Sequence, residues 1–71
     1  MNYQNFKQRL KILNKNLRIV FERYLQLLEK QSNQYFLGES DSFLEERIKD
    51  LEWLMTFYTE IRTNLIFNFR H

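Results

Sequence analysis

The sequence predicts an all-α protein: an antiparallel hairpin of two long helices that dimerises into a four-helix bundle. In the first half of the chain, apolar residues recur at alternating spacings of three and four, which is typical of a helix that packs along another helix. Proline is absent and glycine occurs once, so the composition favours long helices. With 71 residues and no cysteine, the chain is expected to gain additional core from a second copy.

The first predicted helix spans residues 3–36. From its start, every a and d position of a seven-residue repeat is apolar: Tyr3, Phe6, Leu10, Leu13, Leu17, Val20, Tyr24 and Leu27. A straight helix slips by ~20° per heptad against such a repeat. We therefore expect the inner face to move after Leu17 toward a set comprising Phe21, Tyr24, Leu28 and Tyr35.

The predicted turn covers residues 37–42. Gly38, the single glycine, follows the periodic stretch at a point where a residue with left-handed backbone can end a helix at little steric cost. Ser42 and Glu45 have the spacing of a capping box, in which the serine caps the second helix and the glutamate reaches back to it. Ser40 and Asp41 are the alternative caps.

The second predicted helix spans residues 43–69, and a short connection of this kind makes two long helices antiparallel. Arg62 interrupts its apolar stripe, and we expect the stem to lie along the helix interface while the guanidinium reaches water. The stripe comprises Leu44, Ile48, Leu51, Met55, Tyr58, Leu65 and Phe69, broadened by Leu54 and Ile61. Residues 1–71 are predicted to form one domain. The interior of the dimeric bundle is predicted to contain Leu13, Leu17, Val20, Tyr24, Leu51, Met55 and Tyr58.

Helix 2 has a second apolar line on the side opposite its main stripe. Trp53 and Phe57 are four residues apart, and Phe43 and Phe67 extend the same line. Either these residues belong to the core of a four-helix dimer, or they form a docking face for another protein, with Trp53, Phe57 and Phe67 as anchors. Helix 1 has additional apolar residues of its own at Ile12, Ile19 and Leu25.

Charge is unevenly distributed along the chain. Residues 1–37 contain seven basic and two acidic side chains, whereas residues 38–71 contain four basic and seven acidic ones. In an antiparallel hairpin this makes the open end basic and the turn end acidic. The polarity favours an antiparallel dimer, although exposed ion pairs contribute only ~0–1 kcal/mol each.

A basic face on helix 1 supports an alternative function. Lys11, Lys15 and Arg18 lie along one outer face, with Lys7 and Arg9 beside them. The predicted architecture resembles the plasmid copy-number regulators of the Rop type, four-helix dimers that present such a face to RNA. The resemblance implies binding of RNA or DNA through Lys7, Lys11, Lys15 and Arg18. Helical-hairpin co-chaperones of secretion systems are also similar in size and shape, which adds a co-chaperone of a larger assembly as a further alternative.

Patterns typical of catalysis are missing from the sequence. The single histidine is the terminal His71, no glycine-rich phosphate loop occurs, and no histidine or cysteine cluster has metal-ligand spacing. The stretch 48–52 resembles the Ser-x-x-Leu-Asp motif of the sporulation aspartyl-phosphate phosphatases, but Ile48 and Glu52 replace its serine and aspartate. We therefore expect no enzymatic activity, cofactor, metal or small-molecule substrate. Because no apolar run is long enough for a membrane span or a signal peptide, we expect a cytoplasmic location. The preferred interpretation is an adaptor or regulator that binds protein through its helices and forms a homodimer.

Overall fold

The protein folds into two helices that lie side by side and run antiparallel. In the computed structural model, which describes residues 2–70, α1 spans Tyr3–Phe36 and α2 spans Ser42–Arg70. The hairpin is a rod with extents of 53 × 15 × 14 Å. The prediction of an all-α helical hairpin is confirmed. His71 lies outside the described residues.

Both ends of α1 are closed by local hydrogen bonds. At the start, the Asn2 side-chain oxygen accepts from the Asn5 backbone N–H at 2.8 Å. At the end, Gly38 has the left-handed φ of +76°, as predicted. The Gly38 and Glu39 N–H groups donate to the carbonyls of residues 35 and 34 at 3.0 and 2.8 Å. These two bonds form a Schellman motif, which needs a residue free to adopt positive φ.

Asp41, rather than Ser42, caps α2. The Asp41 carboxylate accepts from the backbone N–H groups of Phe43 and Leu44 at 3.0 and 3.2 Å. Ser42 is therefore the first residue of the helix, and the preferred capping box on Ser42 and Glu45 is wrong. With Asp41 as the cap, Glu45 lies one position too far along the helix to complete the box.

Three contacts between the helices define their register. The Phe6 and Phe69 rings stack at the open end with centroids 4.0 Å apart. Further along, Arg62 Nη1 donates to the side-chain oxygen of Asn14 at 3.1 Å. Nearer the turn, the hydroxyl of Tyr24 donates to Glu52 at 3.1 Å. Arg62 thus lies along the interface as expected, but its guanidinium bonds to α1.

The inner face of α1 keeps its seven-residue repeat to the end of the helix. Gln31 and Gln34, at a and d positions, are half-buried. Tyr35 is 84% exposed and Phe21 is 49% exposed. The predicted drift is therefore wrong for Phe21 and Tyr35, whereas Tyr24 and Leu28, the other two residues named in it, are half-buried. Helices that wind around each other keep the same face toward the partner, which removes the slip expected of a straight helix.

The space between the two helices forms a thin core. Among the described residues, Leu44, Ile48 and Leu65 are buried, at 5–9% exposure. The seven residues predicted for the bundle interior all lie on the inner faces and are half-buried: Leu13, Leu17, Val20, Tyr24, Leu51, Met55 and Tyr58. A two-layer hairpin covers each inner side chain from one direction only. Complete burial of these residues requires further protein against the sides of the rod.

Candidate functional site

Trp53 and Phe57 form an ordered aromatic pair on the outer surface of α2. Their rings are almost parallel, with an interplanar angle of 7° and centroids 5.3 Å apart. Phe57 also meets the ring of Tyr58 edge-on at 5.9 Å. Trp53 is 64% exposed and Phe57 is 44% exposed. The two rings thus cover part of each other while a large part of their apolar surface remains in contact with solvent.

The third predicted anchor, Phe67, is separate from this pair. It is 60% exposed, and it follows Trp53 by two heptads, which is about 21 Å along a helix. Phe43 is 68% exposed and lies near the start of α2. A single partner helix would have to follow α2 for four turns to touch both Trp53 and Phe67, so we define the aromatic pair as Trp53 and Phe57 alone.

Charged side chains lie on both sides of the aromatic pair. Asp50 precedes Trp53 by three residues, and Glu60 follows Phe57 by three residues, so both share the outer face of α2 with the rings. Both carboxylates are exposed, and so is Lys49, which precedes Trp53 by four residues. The surface therefore has an apolar centre with a carboxylate one turn away on each side, and Lys49 lies beside the first of the two carboxylates.

A second apolar surface joins the two helices on one side of the rod. Ile12 of α1 and Ile61 of α2 line an open depression of about 270 Å³, together with Leu13, Leu65 and Arg9. Ile12 is 59% exposed and Ile61 is 36% exposed. The sequence pattern had assigned Ile61 to the inner stripe and Ile12 to a separate outer set. Their juxtaposition follows from the register of the hairpin, which no local pattern specifies.

The predicted basic face is only partly brought together. Lys11, Lys15 and Arg18 surround one shallow depression of about 390 Å³, with Asn14 between them. Lys7 is exposed one turn earlier and is not part of this lining. The Asn14 side-chain oxygen accepts the hydrogen bond from Arg62, so a cation of α2 extends the basic surface across the interface. In the sequence, Arg62 stood out because it interrupts the apolar stripe of α2. That pattern did not identify Asn14 as its hydrogen-bond partner, since it carries no information about α1.

One tyrosine has a perturbed acidity. The hydrogen bond from the Tyr24 hydroxyl to the Glu52 carboxylate raises the pKa of Tyr24, and burial and the negative charge of Glu52 act in the same direction. The neutral phenol is the form that can donate this bond, so the folded hairpin holds the Tyr24 proton more tightly. The hydrogen bond joins α1 to α2, so its role in the structure is to link the two helices.

Residues 2–70 contain neither a candidate metal cluster nor a helix that could span a membrane. No group of three or more histidine, cysteine, aspartate or glutamate side chains in this range could hold a metal ion. Neither described helix contains a stretch long and apolar enough to cross a membrane.

Comparisons with protein family models, with curated proteins and with solved structures find no match to this chain.

Proposed function

We propose that the protein is a small non-enzymatic adaptor or regulator that acts through helix-mediated protein binding, as a homodimer. The observation that carries the proposal is the exposed, stacked pair of Trp53 and Phe57. Tryptophan and other aromatic residues supply much of the binding energy at protein interfaces. Stacked aromatic rings attract each other by about 0.5–1.5 kcal/mol, and this attraction favours the paired arrangement that a partner would cover.

The chemistry around the pair defines the partner. An apolar residue on a partner helix would fill the surface of Trp53 and Phe57, while Asp50 and Glu60 would face basic side chains one turn away on either side. The expected partner is therefore an amphipathic helix with an apolar centre flanked by lysine or arginine. Charge of this kind mainly increases the association rate and the specificity, whereas the buried rings provide the affinity.

The test compares binding by the wild type with binding by a Trp53→Ala/Phe57→Ala double variant. Candidate partner proteins are captured from the native host, purified and titrated into the wild type and the variants. Binding to the wild type is followed by the fluorescence of Trp53, the single tryptophan, and binding to the variants by calorimetry. We expect the double variant to lose at least ~2 kcal/mol of binding free energy, about 30-fold in affinity.

Phe43→Ala is the matched control, since Phe43 is an aromatic residue of the same helix with 68% exposure. It should bind like the wild type. Circular dichroism checks that the double variant keeps its helices, which we expect because both rings are largely exposed. A partner bound equally well by the double variant would exclude the aromatic pair as the docking site.

A second candidate function, nucleic-acid binding, is favoured by the grouping of Lys11, Lys15 and Arg18 with Arg62 nearby. Phosphate contacts would make binding decrease with salt, with a log–log slope of about −0.9 for each duplex phosphate neutralised. A mobility shift of RNA or DNA at low salt, lost in Lys11→Glu/Lys15→Glu and kept in Lys49→Glu, would establish this function. Absence of any shift for the wild type would remove it.

A further inference from the structure

We propose that two copies of this chain pair through one side of the rod, an apolar band formed by Ile12, Ile19, Leu54 and Ile61, with the rods antiparallel. The inference rests on the homodimer in the proposed function and specifies which surface makes it. It leaves the outer line of α2, with Trp53 at its centre, available to a different protein.

The band is continuous across the two helices. Ile12 and Ile61 share one depression with Leu13 and Leu65, and the exposed side chain of Arg9 completes its lining on the side of the open end. Ile19 lies one heptad after Ile12 on the same face of α1, and Leu54 lies one heptad before Ile61 on the same face of α2, so both are closer to the turn. Ile19 is 52% exposed, and Leu54 is half-buried. Two such bands placed face to face would cover the half-buried inner residues from the side.

The exposed area of the rod is large enough for a stable interface with a second copy. The chain exposes 6066 Å², whereas a compact monomer of 9.0 kDa is expected to expose about 4,900 Å². The excess is about 1,200 Å² on this comparison, and a stable interface buries about 800 Å² on each partner. The rod thus carries surplus surface of the size that a dimer interface removes.

The charges at the two ends of the rod select the orientation. The stacked rings of Phe6 and Phe69 place the start of α1 beside the end of α2. That open end carries Lys7, Arg9 and Arg70, whereas the turn end carries acidic side chains: Glu39, Asp41, Glu45 and Glu46. An antiparallel pair puts each basic end beside an acidic end, and a parallel pair puts like charges together.

The first test measures the mass of two matched variants by sedimentation equilibrium. Ile19→Lys changes the band. Leu25→Lys is the matched control: Leu25 belongs to the same helix and is 49% exposed, but it lies one heptad after Arg18, on the face of α1 that points away from the band. We expect the wild type and Leu25→Lys to be dimers. In Ile19→Lys the dimer dissociation constant should rise at least about 100-fold, because the interface would bury an unpaired ammonium from each copy.

The outcomes separate this inference from the proposed function. A wild-type monomer would overturn the homodimer and the band together. A wild-type dimer that survives Ile19→Lys, or that dissociates in Leu25→Lys, would overturn the band alone. If no partner binds to Trp53 and Phe57, the proposed docking site fails, but the dimer and the band are still tested independently by the mass measurements.

The second test leaves the band intact, so it holds even if Ile19→Lys unfolds. The chain has no cysteine, which allows a single spin label at the exposed site Lys15→Cys, level with the middle of the band, or at the exposed site Lys30→Cys, near the turn. In an antiparallel dimer centred on the band, the two Lys30→Cys labels should be about 40 Å apart along the rods, and the two Lys15→Cys labels should be closer together. Equal distances for both sites, or a shorter one for Lys30→Cys, would overturn the antiparallel arrangement.

Discussion

Replacing Ile48 by alanine should remove most of the stability of the hairpin. Ile48 is 5% exposed and lies on the inner face of α2. The substitution deletes three buried carbon atoms, each worth about 0.8 kcal/mol of transfer free energy, and leaves a cavity. Alanine favours the helix slightly more than isoleucine does. The expected loss is about 2–4 kcal/mol, compared with about 3–5 kcal/mol for the core of so small a domain.

The free energy of unfolding is measured by urea denaturation at one fixed protein concentration, followed by circular dichroism. Leu25→Ala is the control, because it removes the same number of carbons from a side chain that is 49% exposed. It should cost less than about 1 kcal/mol. If Ile48→Ala costs no more than Leu25→Ala, the packing between the helices is not what stabilises the fold.

Two further predictions concern hydrogen bonds outside the core. Asp41→Ala should lower the free energy of unfolding by about 0.5–2 kcal/mol in urea denaturation, because the Asp41 carboxylate accepts from the first N–H groups of α2. Ser42→Ala should lower it much less, and equal losses would contradict this capping. The pKa of Tyr24 is raised in the folded state. The bond to Glu52 therefore stabilises the hairpin fully at pH values below the unfolded-state pKa of about 10, and this stabilisation is lost as the pH rises through the folded-state pKa. Glu52→Gln should lower the pKa of Tyr24 in an NMR titration of its ring, and an unchanged value would exclude Glu52 as the cause.

Local sequence signals were sufficient wherever the structure depends on neighbouring residues. The repeat that begins at Tyr3 predicted α1, and the single glycine predicted its end, because only glycine adopts the positive φ of Gly38 without strain. The start of α2 shows the limit of such signals. Asp41 and Ser42 are both residue types that cap helices well, so the pattern did not distinguish them, and the bonds to the Asp41 carboxylate show which one caps α2.

The sequence by itself determined that this protein is a hairpin of two long helices and that Trp53 and Phe57 lie outside its inner stripe. Only the tertiary structure decided which residues of one helix lie beside which residues of the other. That register brings Ile12 next to Ile61 and connects Arg62 to Asn14. The physical reason is that a heptad pattern specifies the face a helix buries, but sliding one helix along the other leaves that pattern unchanged, so the packing of the whole hairpin must select the register.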